Sequence, residues 1–163
     1  TDSVFAYNTF YYYNAPCASY VWQYKDVTRN FGVVPNAIEF EYPSPNVGIL
    51  YPTTDTVAVP VGGIVQNARK LAIDNNNISA TQAKEASWIF VHSDFGRPGS
   101  SELYTRVCLR DHPNMCIFVV DTDVKGSYAT MVLADVNGSS TPDNGFNWIA
   151  GPIPTKQCDG NHG

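Results

Sequence analysis

The sequence predicts an α+β fold, in which an antiparallel sheet packs against one main helix in a single disulfide-stabilised domain of residues 1–163. Three observations favour this class. Short aromatic and β-branched runs alternate with turn residues along most of the chain. One central segment has the apolar spacing of a helix. Four cysteines occupy positions from which two disulfides can form.

Length and charge exclude several alternatives. The chain has 163 residues, of which 44% are hydrophobic, enough for one core that buries roughly two-thirds of the unfolded surface. Its formal net charge is −5 and its basic residues are scattered, so we expect no nucleic-acid partner. Since no apolar run approaches the ~20 residues of a membrane helix, we also expect no membrane span in this chain.

The first third of the chain is predicted to be extended. The segments SVFAYNTFYYY and SYVWQYKD combine aromatic and β-branched residues, which favour strands. Proline-containing turns then separate three shorter strand-like runs, AIEFEY, VGILY and TVAVPV.

The main helix is predicted to begin after Gly62-Gly63 and to end at the sequence DNNN. The residues that would form its apolar face follow helical spacing, and they are Ile64, Val65, Ala68, Leu71 and Ala72. A second, short helix is predicted from Ser79, because Gln82 stands three residues later as in a capping box.

The rest of the chain returns to strand patterns. The predicted strands are SWIFVH, ELYTRVCL, MCIFVVDT, SYATMVLA and FNWIAGPIP. We expect these later strands to form a meander that packs against the main helix.

The four cysteines favour one disulfide pairing. Cys108 and Cys116 stand near the ends of two strands joined by RDHPN, where a local disulfide is easily formed, which leaves Cys17 and Cys158 to join the two chain ends. The alternative, a zinc site, usually needs closely spaced cysteine pairs. Disulfides indicate a secreted or cell-surface protein. The polar opening TDS favours a mature or trimmed form.

Surplus tyrosine indicates a contact surface. The chain has ten Tyr but only 15% charged residues, a composition typical of binding surfaces. The predicted ligand-binding residues are Tyr11, Tyr12, Tyr13, Tyr20, Trp22 and Tyr24. Their partner would be a protein or carbohydrate surface, including a second copy of the chain. The alternative is that these side chains are half-buried strand residues.

The stretch MVLADVNGSSTPDNGFNWIAG contains closely spaced oxygen side chains. Asp135, Asn137, Ser139 and Asp143 stand at spacings that could serve calcium, the one cofactor considered. The alternative is a turn, in which Asp and Asn bond their own backbone and Asn137-Gly138 supplies a positive φ. The turn suffices to explain the residues.

Catalytic signals are sparse, and the sequence favours a protein that is not an enzyme. His92 follows a strand and could act as a general base with a distant acid such as Glu39. The candidate catalytic residues are His92, Asp94, Glu102 and Arg106. No nucleophile elbow, zinc-protease motif or phosphate-binding loop accompanies them.

The segment from Cys116 to Gly151 resembles the C-terminal sheet of type IV pilins and pseudopilins. There a strand runs into a loop of the form D-V-N-G, followed by Pro, Gly and an aromatic residue, as in Asp135–Gly138, Pro142, Gly145 and Phe146 here. The resemblance implies an extracellular subunit that assembles with others.

The sequence thus predicts a secreted or cell-surface binding or assembly domain, in its sharper form a pilin-like subunit or adhesin module. The contact face would lie near residues 5–24. The alternative is a small secreted hydrolase or toxin that uses His92.

We expect all four cysteines to be oxidised in the native protein. Alkylation under denaturing conditions should leave the intact mass unchanged before reduction and add four alkyl groups after it. Finding four alkylated thiols without reduction would contradict the extracellular assignment.

Overall fold

The computed structural model describes residues 9–12, 21–40, 48–73, 78–96, 103–120, 130–138 and 144–150. In these residues strands account for 70% and helical turns for 12%. The strands are β1 Thr9–Tyr12, β2 Val21–Arg29, β3 Gly32–Phe40, β4 Leu50–Val61, β5 Ile64–Ile73, β6 Trp88–Gly96, β7 Leu103–Leu109, β8 Met115–Val119, β9 Met131–Asp135 and β10 Trp148–Ala150. The helical parts are α1 Ala80–Glu85 and two 3₁₀ turns, Val136–Gly138 and Asn144–Phe146.

The prediction of an α+β fold with a main helix is wrong, because the protein is mostly β-sheet. The spatial order of the hydrogen-bonded strands is β3-β2-β1-β10-β7-β8-β9-β5-β4. Strand β6 lies outside this order and pairs with β7. The strand pairs are antiparallel. Of the later strands, β6 to β9 form a meander, but β10 leaves it to pair with β1 and β7, and no main helix packs against it in the described residues.

Two sheets share strand β7. On one edge of this strand Thr105 pairs with Trp148 of β10, while Cys108 further along pairs with Cys116 of β8. The opposite edge pairs with β6. One sheet therefore runs from β6 to β3 through β7 and β10, and the other runs from β7 to β4 through β8 and β9.

The segment predicted as the main helix is strand β5. Gly62 and Gly63 have φ of 54° and 85°, the pattern of a two-residue type I′ hairpin turn, and Val61 pairs directly with Ile64 across it. Strand β5 then pairs with β9 on its other edge. Ile64 and Val65, two members of the expected helical face, are 44% and 68% exposed. A helical spacing of apolar residues was therefore outweighed by a Gly-Gly turn.

The predicted short helix is confirmed as α1. The Ser79 side chain accepts a hydrogen bond from the Gln82 N–H, and the Gln82 side chain accepts one from the Ser79 N–H. This capping box satisfies two backbone donors that the first turn of a helix leaves open.

Strands β8 and β9 are buried on both faces. Ile117 and Val119 of β8 belong to one apolar cluster, whereas Cys116 and Phe118 belong to the cluster on the opposite face. The first cluster also receives large side chains from both sheets, among them Phe10, Trp22, Ile38, Leu50, Trp88, Leu133 and Trp148. Burial on both faces explains why these strands have nearly continuous apolar sequences rather than alternating ones.

The predicted disulfide between Cys108 and Cys116 is present. The two residues stand directly opposite each other on β7 and β8, and both side chains are fully buried. The second predicted pair, Cys17 and Cys158, lies outside the described residues. The observed disulfide is compatible with an extracellular protein. Within the part of the chain that the structure describes, no helix is long and apolar enough to cross a membrane.

Substitutions in the Gly62-Gly63 turn distinguish a hairpin from a helix. Gly63→Ala should lower the free energy of unfolding by about 1 kcal/mol, because alanine is strained at positive φ. In a helix the same change would raise it by about 1 kcal/mol. Gly62→Asn is the control, since asparagine is favoured at this turn position and should change stability by less than about 0.5 kcal/mol. Urea unfolding measures both, and a stabilised Gly63→Ala variant would contradict the hairpin.

Candidate functional site

A groove lies where the β2–β3 hairpin, helix α1 and the β7–β8 turn meet. Its volume is about 250 Å³. The apolar residues that line it are Phe31, Val33, Val34, Pro35, Ala80 and Ala83. The other lining residues are Ser87, Lys84 and Arg110. We call this cavity the α1 groove.

The outer wall of the α1 groove comes from a tight hairpin. Strands β2 and β3 are joined by Asn30 and Phe31, with Arg29 paired to Gly32 across the turn. Because side chains alternate along a strand, Val34 turns into the core while Val33 remains 62% exposed. Phe31 is 37% exposed. Two large apolar side chains therefore face solvent at one place.

Helix α1 forms the inner wall of the groove. Two buried alanines, Ala83 of the helix and Ala86 at its C-terminal cap, pack in one cluster with Val34, Ala37 and Ile49. The Ser87 hydroxyl donates to the Pro35 carbonyl at 2.8 Å, which ties the residue after the helix to β3. The Arg110 N–H donates to the Ser87 carbonyl at 2.9 Å. The three walls are thus linked through Ser87.

A bidentate ion pair fixes the far side of α1. The Arg69 guanidinium on β5 donates to both carboxylate oxygens of Glu85 at 2.7 and 2.9 Å, and its Nε donates to the Thr53 carbonyl at 2.8 Å. The hydrogen bonds from Arg69 hold the pKa of Glu85 below its usual value of about 4.5. Partial burial opposes this shift, while the charges of Arg69 and His112 add to it.

Lys84 and Arg110 are the cations that line the α1 groove. Lys84 is exposed and makes no ion pair with a residue that the structure describes. Arg110 is exposed, and the Asp111 carboxylate lies 4.0 Å from its Nε, at the outer limit of an ion pair. By contrast, Arg69 is engaged by Glu85.

The predicted catalytic residues are not brought together in the described part of the chain. His92 is exposed on β6, with its Nδ1 at 3.5 Å from the Thr105 hydroxyl. Arg106 pairs with Val91, which precedes His92 in β6. Because paired residues share a face and successive residues alternate, Arg106 and His92 extend from opposite faces of the sheet. Glu39 forms an ion pair with Lys25 at 2.6 Å. Glu102 and the Asp94 side chain lie outside the description.

The aromatic residues predicted to bind a ligand include core residues. Tyr12 and Trp22 are buried, and Tyr12 makes an edge contact with the Trp148 ring at a centroid distance of 5.5 Å. Tyr24 is half-buried, and its hydroxyl donates to the Trp88 carbonyl at 3.0 Å. Tyr11 stands in β1 between Ile149 and Val21, its side chain undescribed. Tyr13 and Tyr20 lie outside the described residues.

Asp135, the first residue of the calcium prediction, closes a turn. Its carboxylate accepts hydrogen bonds from the Asn137 N–H at 2.9 Å and the Asn114 amide at 3.3 Å. Asn137 is exposed, while Ser139 and Asp143 lie outside the described residues. No group of three or more potential metal ligands occurs in the described ranges. The expected positive φ at Asn137-Gly138 is not found, because both residues belong to a 3₁₀ turn.

The D-V-N-G and G-F elements of this segment have packing roles. The Gln66 side chain exchanges two hydrogen bonds with the Asp135 backbone, at 2.9 and 3.0 Å. A Cβ at Gly138 would lie 2.8 Å from the Gln66 amide nitrogen, and a Cβ at Gly145 would overlap the Phe118 ring. Phe146 is buried against the same ring at a centroid distance of 4.8 Å. The Phe118 ring thus excludes a side chain at Gly145, whereas a Cβ at Gly138 would displace only the flexible end of the Gln66 side chain.

Sequence reasoning missed the α1 groove. Its one local signal is the apolar run FGVVP directly after a turn, where polar residues are usual. Lys84 and Arg110 carry no pattern of their own, because they are far apart in sequence and meet only in the folded chain.

No family model, curated protein or solved structure matches this chain.

The Arg69–Glu85 pair should make stability depend on acidic pH. The pKa of Glu85 is lower in the folded than in the unfolded state, so the pair's contribution is complete above about pH 4.5 and is lost as pH falls through the folded pKa. Glu85→Gln should cost about 1 kcal/mol at neutral pH, because the pair is only partly shielded from solvent. Urea unfolding at about pH 7 and pH 3 measures this cost, which should be smaller at the lower pH, where Glu85 begins to be protonated.

Asp55→Asn is the matched control, since Asp55 is exposed and makes no ion pair with a described residue. Its effect should be small at both pH values. An equal loss for Glu85→Gln at both pH values would show that the ion pair is not responsible.

Proposed function

We propose that the protein is a secreted or cell-surface binding or assembly domain and that the α1 groove is its contact site. The observation that carries the proposal is the exposure of Phe31 and Val33 beside two unburied cations. Exposed apolar side chains clustered at a concave site with a polar rim are typical of interaction sites.

The rigid frame of the groove supports a binding role. Backbone and side-chain hydrogen bonds through Ser87 hold the β2–β3 hairpin, α1 and the β7–β8 turn in fixed positions. A site that is ordered before its ligand arrives loses less conformational entropy on binding. The groove therefore suits a partner of defined shape.

The proposed contact site differs from the aromatic face expected near residues 5–24. The rings of Tyr12 and Trp22 are buried in the core and cannot contact a partner. The exposed apolar surface lies instead at the β2–β3 turn. The partner class is unchanged and remains a protein or carbohydrate surface.

An extracellular location agrees with the buried Cys108–Cys116 disulfide. The assembly version of the proposal, a pilin-like subunit or adhesin module, rests on the resemblance of the Asp135–Phe146 segment to the pilin C-terminal sheet. In that version the α1 groove would receive a neighbouring subunit.

Site-specific photo-crosslinking tests the proposed contact site. A benzophenone amino acid placed at Val33 should form adducts either with a second copy or with a surface protein or glycan of the source cells. The same probe at Val65, an equally exposed valine on the β4–β5 turn, is the control and should form few adducts. Excess unlabelled protein should suppress the Val33 adducts, whereas a Val33→Glu competitor should not.

Equal labelling from both positions would contradict the groove as a specific site. Absence of adducts from Val33 with purified protein and with surface extract would contradict the binding role itself.

A further inference from the structure

We infer that the α1 groove receives an acidic, partly apolar peptide segment of a partner protein, with one apolar side chain inserted and flanking carboxylates paired to Lys84 and Arg110. This inference rests on the proposed function and names the chemistry of the partner.

The size of the groove indicates an anchor side chain rather than a small-molecule ligand. Pockets that enclose a free ligand or cofactor usually measure ~300–1,000 Å³. The α1 groove, at about 250 Å³, falls below that range. One large side chain fits such a space, and a buried anchor of this kind commonly dominates a protein–protein interface.

The lining favours a peptide over a sugar. Six of the nine lining residues are apolar, and the one hydroxyl, that of Ser87, is already bonded to the Pro35 carbonyl. A carbohydrate has many hydroxyl groups that need hydrogen-bond partners, and among the lining side chains Lys84 and Arg110 alone remain to supply them. An apolar side chain makes no such demand.

The charges at the groove favour an acidic partner. The chain as a whole carries a net charge of −5, so an acidic segment is repelled by most of the molecule. Lys84 on α1 and Arg110 at the β7–β8 turn border the groove, and among the described residues only Asp111 lies near enough to pair with either, at 4.0 Å from Arg110. The two cations attract carboxylates, so they direct the acidic residues of the partner to the groove.

Three synthetic hexapeptides test the inference with the intact protein. They are acetyl-Glu-Glu-Leu-Phe-Glu-Glu-amide, the same peptide with lysines in place of the glutamates, and the same acidic peptide with Gly-Gly in place of Leu-Phe. Backbone amide shifts of the ¹⁵N-labelled protein report the binding position. We expect only the first peptide to shift Val33, Ala83, Lys84 and Ser87, with a Kd between about 10 µM and 1 mM.

Charge reversal with a matched control identifies the recognising groups. The double variant Lys84→Glu, Arg110→Glu should weaken binding of the acidic peptide at least about tenfold. Lys70→Glu makes the same charge change as Lys84→Glu alone, at an exposed lysine on β5 outside the groove. It should change Kd less than about twofold, whereas Lys84→Glu alone should weaken binding more. Dispersed amide spectra and unchanged unfolding midpoints establish that the variants fold.

Three results would overturn the inference. They are equal binding of the lysine peptide, equal binding of the Gly-Gly peptide, and shifts that lie away from the groove. Binding of phosphatidylserine vesicles or of inorganic phosphate in preference to the acidic peptide would also overturn it, in favour of a lipid headgroup or a free anion.

The inference and the proposed function fail separately. If the Val33 photoprobe gives specific adducts while the acidic peptide does not bind, the groove remains a contact site and only the acidic-peptide chemistry is rejected. If neither experiment gives binding at the groove, both are rejected.

Discussion

Burial of both faces of strands β7, β8 and β9 is the constraint on which the rest of the structure depends. Each face of these strands must be covered, so one face packs with the aromatic side chains of β1, β2 and β10 while the other is covered by Val59, Val61 and Phe146. The Cys108–Cys116 disulfide joins β7 to β8 at the point where the two sheets meet. Strand order follows from this requirement more than from any local preference.

The α1 groove is a consequence of how a short helix is attached to this framework. Six residues of helix are too few to be stable alone, so α1 depends on its cap, on the packing of Ala83 and Ala86, and on the Arg69–Glu85 pair. Those attachments hold the helix beside the β2–β3 hairpin and leave Phe31 and Val33 uncovered between them. The interactions that stabilise α1 in the fold are therefore the same ones that position the wall of the contact site.

The turn-rich segment after β9 illustrates how a familiar pattern can have a local physical basis. Asp135 bonds the backbone of its own turn, Gly138 allows the Gln66 amide to approach, and Gly145 allows the Phe118 ring to approach. Each residue type is explained by a neighbour, so a protein with the same strand-to-turn geometry would select similar residues without sharing a function.

The sequence by itself determined the strand-rich regions, the capped helix at Ser79 and the hairpin disulfide, because each depends on residues close together in the chain. It did not determine the secondary structure of residues 64–73. Their apolar spacing is compatible with a helix, but the Gly-Gly turn and the pairing with β9 make them a strand. Only the tertiary structure decided that Trp22 is buried and Val33 exposed, since both are apolar strand residues. Only it brought Lys84 to Arg110, because their proximity depends on how α1 and the β7–β8 turn pack.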